Sequence, residues 1–430
     1  MVLTFPRLAI AGLTLMSTFA ACANEPTPAV GSASEPTQTE RGQYVAQLGD
    51  CIACHTAKGA APMSGGQALK TPMGTIYSTN ITPDRDTGIG NYSFEQFDEV
   101  MRKGVTPSGQ HLYPAMPYPS YARVNQADMQ ALYAYFMRGV KPVEQENKEA
   151  DIPWPLSMRW PLAIWRWLFA PAVEDFKPEA GQDPVVSRGA YLVEGLGHCG
   201  ACHTPRALTM QEKALGASDG SAFLSGSAPL EGWIAKNLRG DHKDGLGSWS
   251  EEQLVQFLKT GRSDRSAVFG GMSDVIVHSM QYMSDADLTA IARYLKALPA
   301  VNPADMPHQY DPAVADALWN GDDSKRGAAV YIDNCAACHR TDGHGYTRVF
   351  PALAGNPVLQ SDDPTSLIHI VLKGGTLPAT HTAPSTFTMP AFDWRLSDQE
   401  VADVVNFIRT SWGNQAGEVK AGDVKAIRTP

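Results

Sequence analysis

Residues 195–203 read GLGHCGACH, a G-x-G-x-x-G that runs directly into a Cys-x-x-Cys-His. A dinucleotide-binding glycine loop closes a strand, opens a helix and is followed by an acidic residue about twenty positions on. The preceding RGAYLVE, from Arg188, carries no run of β-branched residues and reads as the end of an amphipathic helix. The glycines are therefore a flexible approach to Cys199, Cys202 and His203, and the chemistry lies in those three residues.

The same motif stands twice more, as CIACH at 51–55 and CAACH at 335–339. Six cysteines in an exported chain would ordinarily read as disulfides, but each pair here is followed by a histidine. On one helical turn, thiols at i and i+3 reach the two vinyl groups of a haem and the adjacent imidazole reaches its iron. A redox dithiol needs no histidine there, and zinc would take two such knuckles per site, leaving one of three unpaired. The spacing thus predicts three covalent haems c, on Cys51, Cys54 and His55, on Cys199, Cys202 and His203, and on Cys335, Cys338 and His339.

The repetition extends beyond the motifs. Upstream stand RGQYVAQ from Arg41, RGAYLVE from Arg188 and KRGAAVY from Lys325; downstream stand NQADMQALYAYFMRG from Asn125, SDADLTAIARYLKAL from Ser284 and SDQEVADVVNFIRTS from Ser397. Each downstream helix opens with Asn or Ser followed three residues later by an acid, a capping signature. Gly42, Gly189 and Gly327 hold equivalent places, as do Tyr135, Tyr294 and Phe407, so the missing side chain is expected to let a helix carrying an aromatic pack close. GIGNYSFEQFDEVMRKG from Gly88 parallels GLGSWSEEQLVQFLKTG from Gly245, with DDPTSLIHIVLKGG from Asp362 as a looser third copy; all read as amphipathic helices. Motif starts about 140 residues apart exceed any solenoid period. The reading is all-α, three tandem class I cytochrome c domains.

A second axial ligand closes a haem for electron transfer, whereas an open face leaves room for chemistry. Met116 in YPAMPYP and Met389 in STFTMPAF lie in proline-bounded loops before the last helix of their copies; Met272 in FGGMSDV matches the order of elements, with Met280, Met283 and His278 as competitors. A lone methionine usually fills core, but one in a Gly or Pro loop has little core to fill. His111 is the rival to Met116; His198, His242, His308, His344, His369 and His381 read as surface or hydrogen-bonding residues.

The 430 residues are too many for one ordinary domain, and 43% hydrophobic with 19% charged residues describes a globular chain. The formal net charge of -10 argues against nucleic acid. The first residues, with Arg7 and an apolar stretch from Leu8 to Ala20, read as a secretory signal too short to span a bilayer. Two cleavages stay open: after Ala23, or before an acylated Cys22. The Trp-rich IPWPLSMRWPLAIWRWLFAP from Ile152 suits either a docking or membrane surface or an interdomain clasp, and its prolines argue against one continuous helix. The expected boundaries are signal 1–23, tether 24–40, domain 41–145, connector 146–183, domain 184–300, linker 301–321, domain 322–413 and a polar tail 414–430.

From RGQYVAQLGDCIACHT to RLSDQEVADVVNFIRTSWGN, and in TPMGTIYSTNITPD, HLYPAMPYPSY and RVFPALAGNPVL, the chain resembles the three-haem cytochrome c subunits of bacterial membrane-bound dehydrogenases, of the gluconate 2-dehydrogenase, fructose, sorbitol and quinoprotein alcohol dehydrogenase type. The resemblance implies a separate catalytic subunit, with flavin, pyrroloquinoline quinone or molybdenum. It implies electron relay to ubiquinone or another respiratory acceptor, on the periplasmic side of the cell membrane, and favours a flavin-dependent sugar or sugar-acid dehydrogenase as partner. Some relatives carry a hydrophobic carboxyl-terminal anchor; here GNQAGEVKAGDVKAIRTP is polar, so anchoring is expected from Cys22, the Trp-rich segment or the partner. A rival of another class is a multihaem peroxidase or reductase with one open haem, which requires that one of the three methionines is not a ligand.

Overall fold

Three times the chain lays a first helix across a last helix at a glycine. The computed structural model describes residue 1 and residues 36–428; Cys22, the secretory signal and most of the tether lie outside the described residues. In the first segment α1 (Gln38–Leu48) leads into α2 (Cys51–Cys54), followed by α3 (Phe94–Lys103), α4 (Tyr118–Tyr121) and α5 (Gln126–Arg138). After the connector helix α6 (Trp160–Phe169), the second segment has α7 (Pro184–Ala190), α8 (Gly200–His203), α9 (Glu251–Thr260), α10 (Gly271–His278) and α11 (Asp285–Ala297). Then come α12 (Ala313–Trp319), α13 (Ala328–Asn334), α14 (Ala336–His339), α15 (Pro357–Gln360), α16 (Thr365–Lys373), α17 (Asp398–Arg409) and α18 (Ala421–Arg428). The fold is mostly helical, with three small antiparallel hairpins that the all-α expectation omitted: 68–71 with 74–77, 229–230 with 233–234, and 375–376 with 388–389.

Local sequence explains where these helices begin. Ser93, Ser250 and Ser397 each accept from the backbone N–H three residues on, while Gln96, Gln253 and Glu400 reach back to the cap N–H. Ser284 caps α11 by accepting from Asp287 N. Asn125 departs from the expected signature: its side chain makes no cap bond, and Asp128 is taken instead by Arg41, whose Nη2 donates to its carboxylate at 2.7 Å.

The crossings are backbone against backbone. A Cβ at Gly42 would lie 1.9 Å from Ala131 O and 2.7 Å from Tyr135 Cβ; at Gly189, 2.0 Å from Ala290 O and 2.6 Å from Tyr294 Cβ; at Gly327, 2.2 Å from Asp403 O and 2.9 Å from Phe407 Cβ. No side chain fits, so glycine alone permits α1 on α5, α7 on α11 and α13 on α17. Past Ala190 the first helix of the second segment widens into a π turn, Tyr191–Leu196, which the sequence pattern does not disclose.

The first two segments share one continuous apolar core running from Val45 to Leu298, whereas the third builds its own from Leu318 to Val424. A reciprocal pair of contacts joins the first two. Tyr44 donates to Asp287 Oδ2 at 2.7 Å, and its equivalent Tyr191 donates to Asp128 Oδ2 at 2.6 Å. Each aspartate also receives the arginine of its own segment, Arg41 on Asp128 and Arg188 on Asp287. In the third segment the corresponding residue is the exposed Ala329, and Arg326 pairs with Asp403 within the segment at 2.8 Å.

Two expected irregular stretches are structured. The 301–321 linker contains α12, and the polar tail folds back as α18, with Val419 and Val424 buried and Arg428 donating to Asp398 Oδ1 at 2.6 Å and to the carbonyls of Asp393 and Leu396. The connector does two things at once. On its inner side Trp165 packs on Tyr118 of the first segment and donates to Thr209 O of the second at 2.7 Å, while Trp160, Ile164, Trp167 and Leu168 face outward. No helix among the described residues is long and apolar enough to cross a membrane.

Substituting Gly189→Ala forces a methyl into Ala290 O, so the melting midpoint of the protein is expected to fall by an amount corresponding to about 1–3 kcal/mol, the usual cost of overpacking. An unchanged midpoint in calorimetry would show that the crossing relaxes freely.

Candidate functional site

Each Cys-x-x-Cys-His closes a single helical turn. The motif histidine amide donates to the carbonyl of the first cysteine in all three: His55 to Cys51 at 2.9 Å, His203 to Cys199 at 3.0 Å, His339 to Cys335 at 2.9 Å. The turn puts the two cysteines on one face, three residues apart. None of the six described cysteines is in a disulfide, and burial pushes the thiols of Cys51, Cys199 and Cys335 each up to about 12. That shift is opposite to the lowered pKa of a reactive redox dithiol.

The imidazoles are oriented by the backbone. Nδ1 of His55 meets Thr79 O at 2.7 Å, Nδ1 of His203 meets Lys236 O at 2.7 Å, and Nδ1 of His339 meets Pro351 O at 3.0 Å. A carbonyl only accepts, so Nδ1 carries the proton and the lone pair lies on Nε2, the tautomer a metal ligand requires. Burial also lowers the pKa of all three rings, which keeps them neutral. The carbonyls come from STN at 78–80, AKN at 235–237 and FPA at 350–352; the first and third fall inside phrases that the sequence reading quoted only for resemblance. In the first two segments the adjoining asparagine holds the loop in place: Asn80 Oδ1 accepts from Thr82 N at 2.9 Å, and Asn237 Oδ1 from Arg239 N at 2.9 Å.

The methionines sort by burial. Met280 and Met283, competitors of Met272, are 4% and 5% exposed and belong to the shared core. Met116, Met272 and Met389 are half-buried at the margins of the cores. Met116 sits in the expected turn between Tyr113 and Pro117, where its amide donates to Tyr113 O at 3.2 Å. The expectation of loops fails for the other two: Met272 is the second residue of α10, and Met389 lies in the short strand 388–389, paired with Gly375. Neither local setting was visible, because an eight-residue helix and a two-residue strand give too short a period to read. His111 bridges to Val105; its Nδ1 is buried with no hydrogen-bond partner, and burial together with the Arg166 guanidinium lowers its pKa. Paired cysteines on one turn followed by a neutral imidazole presenting Nε2 form a donor set that fits haem c.

Known proteins match most of this chain. The family model "Cytochrome c" matches residues 39–139 and 324–412. The chain is 62% identical over 392 residues to the gluconate 2-dehydrogenase cytochrome c subunit of Pantoea cypripedii, covering 90% of this chain and 89% of that one. It is 57% identical over 391 residues to the cytochrome c subunit of the quinone alcohol dehydrogenase of Gluconacetobacter polyoxogenes, covering 90% and 84%. To the fructose dehydrogenase cytochrome subunit of Gluconobacter japonicus it is 38% identical over 424 residues, covering 94% and 85%. The chain belongs to the cytochrome c family, in the group formed by these dehydrogenase cytochrome subunits. Covalent haem c is the cofactor of that family.

Glu212, against the second motif, gives the site a pH signature. Its Oε2 is buried without a hydrogen-bond partner; burial pushes the carboxyl up to about 7 from 4.5, and Arg206 and Arg123 offset this only in part. The folded chain therefore holds a proton that the unfolded chain releases, and stability falls as pH rises through that window. Comparing melting midpoints at about pH 5 and pH 8, Glu212→Gln is expected to flatten the loss seen in the parent protein. An equal loss in both proteins would clear Glu212 of the effect.

Proposed function

We propose that this chain is the electron-transfer subunit of a bacterial dehydrogenase complex, built as three tandem class I cytochrome c domains at 41–145, 184–300 and 322–413, each with one covalent haem c. Cys51 and Cys54 would hold the first, with His55 and Met116 on its iron; Cys199 and Cys202 the second, with His203 and Met272; Cys335 and Cys338 the third, with His339 and Met389. The observation that carries the reading is one device recurring three times: a motif histidine whose Nδ1 is fixed by a backbone carbonyl, following two cysteines on one turn.

When bound, the haem iron supplies one-electron redox chemistry. The chain's own residues do the rest. The cysteines fix the group covalently, and the carbonyls of Thr79, Lys236 and Pro351 keep each imidazole in a single orientation, so little rearranges as an electron arrives. Thioether donors are soft and favour the ferrous state, which raises the potential and suits a carrier fed by an organic donor. Apolar residues at the core margins limit access of water.

The partner we favour is a flavin-dependent sugar-acid dehydrogenase of the gluconate 2-dehydrogenase type, with quinoprotein and molybdenum enzymes as alternatives and ubiquinone or another respiratory acceptor downstream. We place the chain on the periplasmic side of the cell membrane, exported by residues 1–23, with Cys22 and the outward face of α6 as its means of attachment. That face is supported by Trp160 and Trp167, 64% and 80% exposed. A multihaem peroxidase or reductase with one open haem is the rival, and Met272 is where it would enter, since this methionine lies in a helix rather than a loop.

Affinity purification of the full chain from native membranes is expected to recover a larger flavin-, quinone- or molybdenum-bearing subunit and three haems per chain. The reduced protein should resist carbon monoxide, and Met272→Ala should open one haem of three to it. Recovery of the chain alone, binding carbon monoxide unmodified and turning over peroxide, would install the rival. Trp160→Ser with Trp167→Ser should cut sedimentation with lipid vesicles at least several-fold; equal sedimentation would remove α6 from the attachment.

A further inference from the structure

The reciprocal contacts between the first two segments bring their motifs together. Tyr44 reaches Asp287 while Tyr191 reaches Asp128, and Ser284 N donates to Tyr44 Oη at 3.0 Å as Asn125 N does to Tyr191 Oη at 3.4 Å. Equivalent residues exchange equivalent bonds, so the two segments face each other about a local two-fold relation. The residue immediately before the first cysteine takes the left-handed conformation in both, Asp50 at φ 49° and His198 at φ 37°, which is uncommon away from glycine. In the third segment that residue is Asn334, inside α13, and it bonds locally to Val330 O.

The π turn at 191–196 ends where Gly197 N donates to Leu192 O at 2.7 Å, and it delivers the His198 ring across the boundary. There His198 Nε2 meets Gly49 O at 3.2 Å, two residues before Cys51. Because a carbonyl only accepts, Nε2 carries the proton. Tyr121 OH donates to the same oxygen at 3.2 Å, and its ring stands edge-on to the imidazole at 5.7 Å. On the other side α10, which bears Met272, packs on α2, the turn that bears Cys51 and Cys54. One hydrogen bond thus links the residue before Cys199 to the carbonyl before Asp50 and Cys51. Flanking the third motif, Tyr331 Oη donates to Arg340 O within the same segment at 2.6 Å.

Resting on the three-haem reading, we infer that the sites at 51–55 and 199–203 work as one electronically coupled pair, and that His198, through its bond to Gly49 O, is the positioning residue that fixes their spacing. The step is a one-electron exchange: one site is oxidised as the other is reduced, no bond to the protein forms or breaks, and His198 keeps its proton. A two-electron donor thereby finds two linked one-electron acceptors side by side.

Close, fixed chromophores split each other's absorption, and the test uses that property on the full holoprotein. Haem content is measured chemically, and circular dichroism in the Soret region is recorded for the parent, His198→Phe, His198→Ala and His198→Gln. The parent is expected to give a bisignate couplet, His198→Gln to retain it because an amide still donates, and the Phe and Ala variants to lose at least half its amplitude with haem content unchanged. A haem content below three per chain overturns the three-haem reading itself. Three haems without a couplet overturn the pair alone, and an undiminished couplet in both the Phe and Ala variants overturns the role of His198.

Discussion

The structure depends on a close approach of two backbones. Where α1 crosses α5, α7 crosses α11 and α13 crosses α17, the carbonyl of the last helix occupies the space a Cβ would need. This approach sets the distance between the helix that leads into each motif and the helix that closes its segment, and the apolar cores form around it. The motif itself is a single turn in which, of the three copies, only Gly200 is fully buried, so its position is inherited from that crossing.

The second determinant is how ionic groups at the crossings are satisfied. A buried carboxylate is costly unless it is paired and hydrogen-bonded, and Asp128 and Asp287 each solve this with an arginine from their own segment and a tyrosine from the other. The solution welds the first two segments into one apolar core. The third lacks the tyrosine, keeps its ion pair to itself and packs on the second through narrower contacts, such as Ile234 N on Ser366 Oγ at 2.8 Å and Trp233 beside His369. Where the first two copies carry Tyr44 and Tyr191, the third carries Ala329.

Much of this was legible beforehand. Gly42, Gly189 and Gly327 pointed to the close crossings, and Ser93, Ser250 and Ser397 stand at real helix starts. The signal at Asn125 misled: its side chain makes no cap bond, whereas Ser284 caps α11 even though Asp287, like Asp128, is held by an arginine. The tail from 414 read as polar; its burial hangs on two valines and on Arg428, and no short window reveals that. Tyr44 and Tyr191 stood at matching positions and could have been singled out by comparing the two copies with Ala329 in the third.

The sequence by itself determined the chemistry on offer: three Cys-x-x-Cys-His turns, the repeat around them and the helices that carry them, since covalent spacing and local periodicity suffice for those. Only the tertiary structure decided which nitrogen each motif histidine presents, which methionines remain outside the core, and that the residue before the second motif bonds to a carbonyl just before the first. Those outcomes rest on the carbonyls of Thr79, Lys236, Pro351 and Gly49, and a backbone carbonyl is identical at every position until the fold brings one particular copy to one particular side chain.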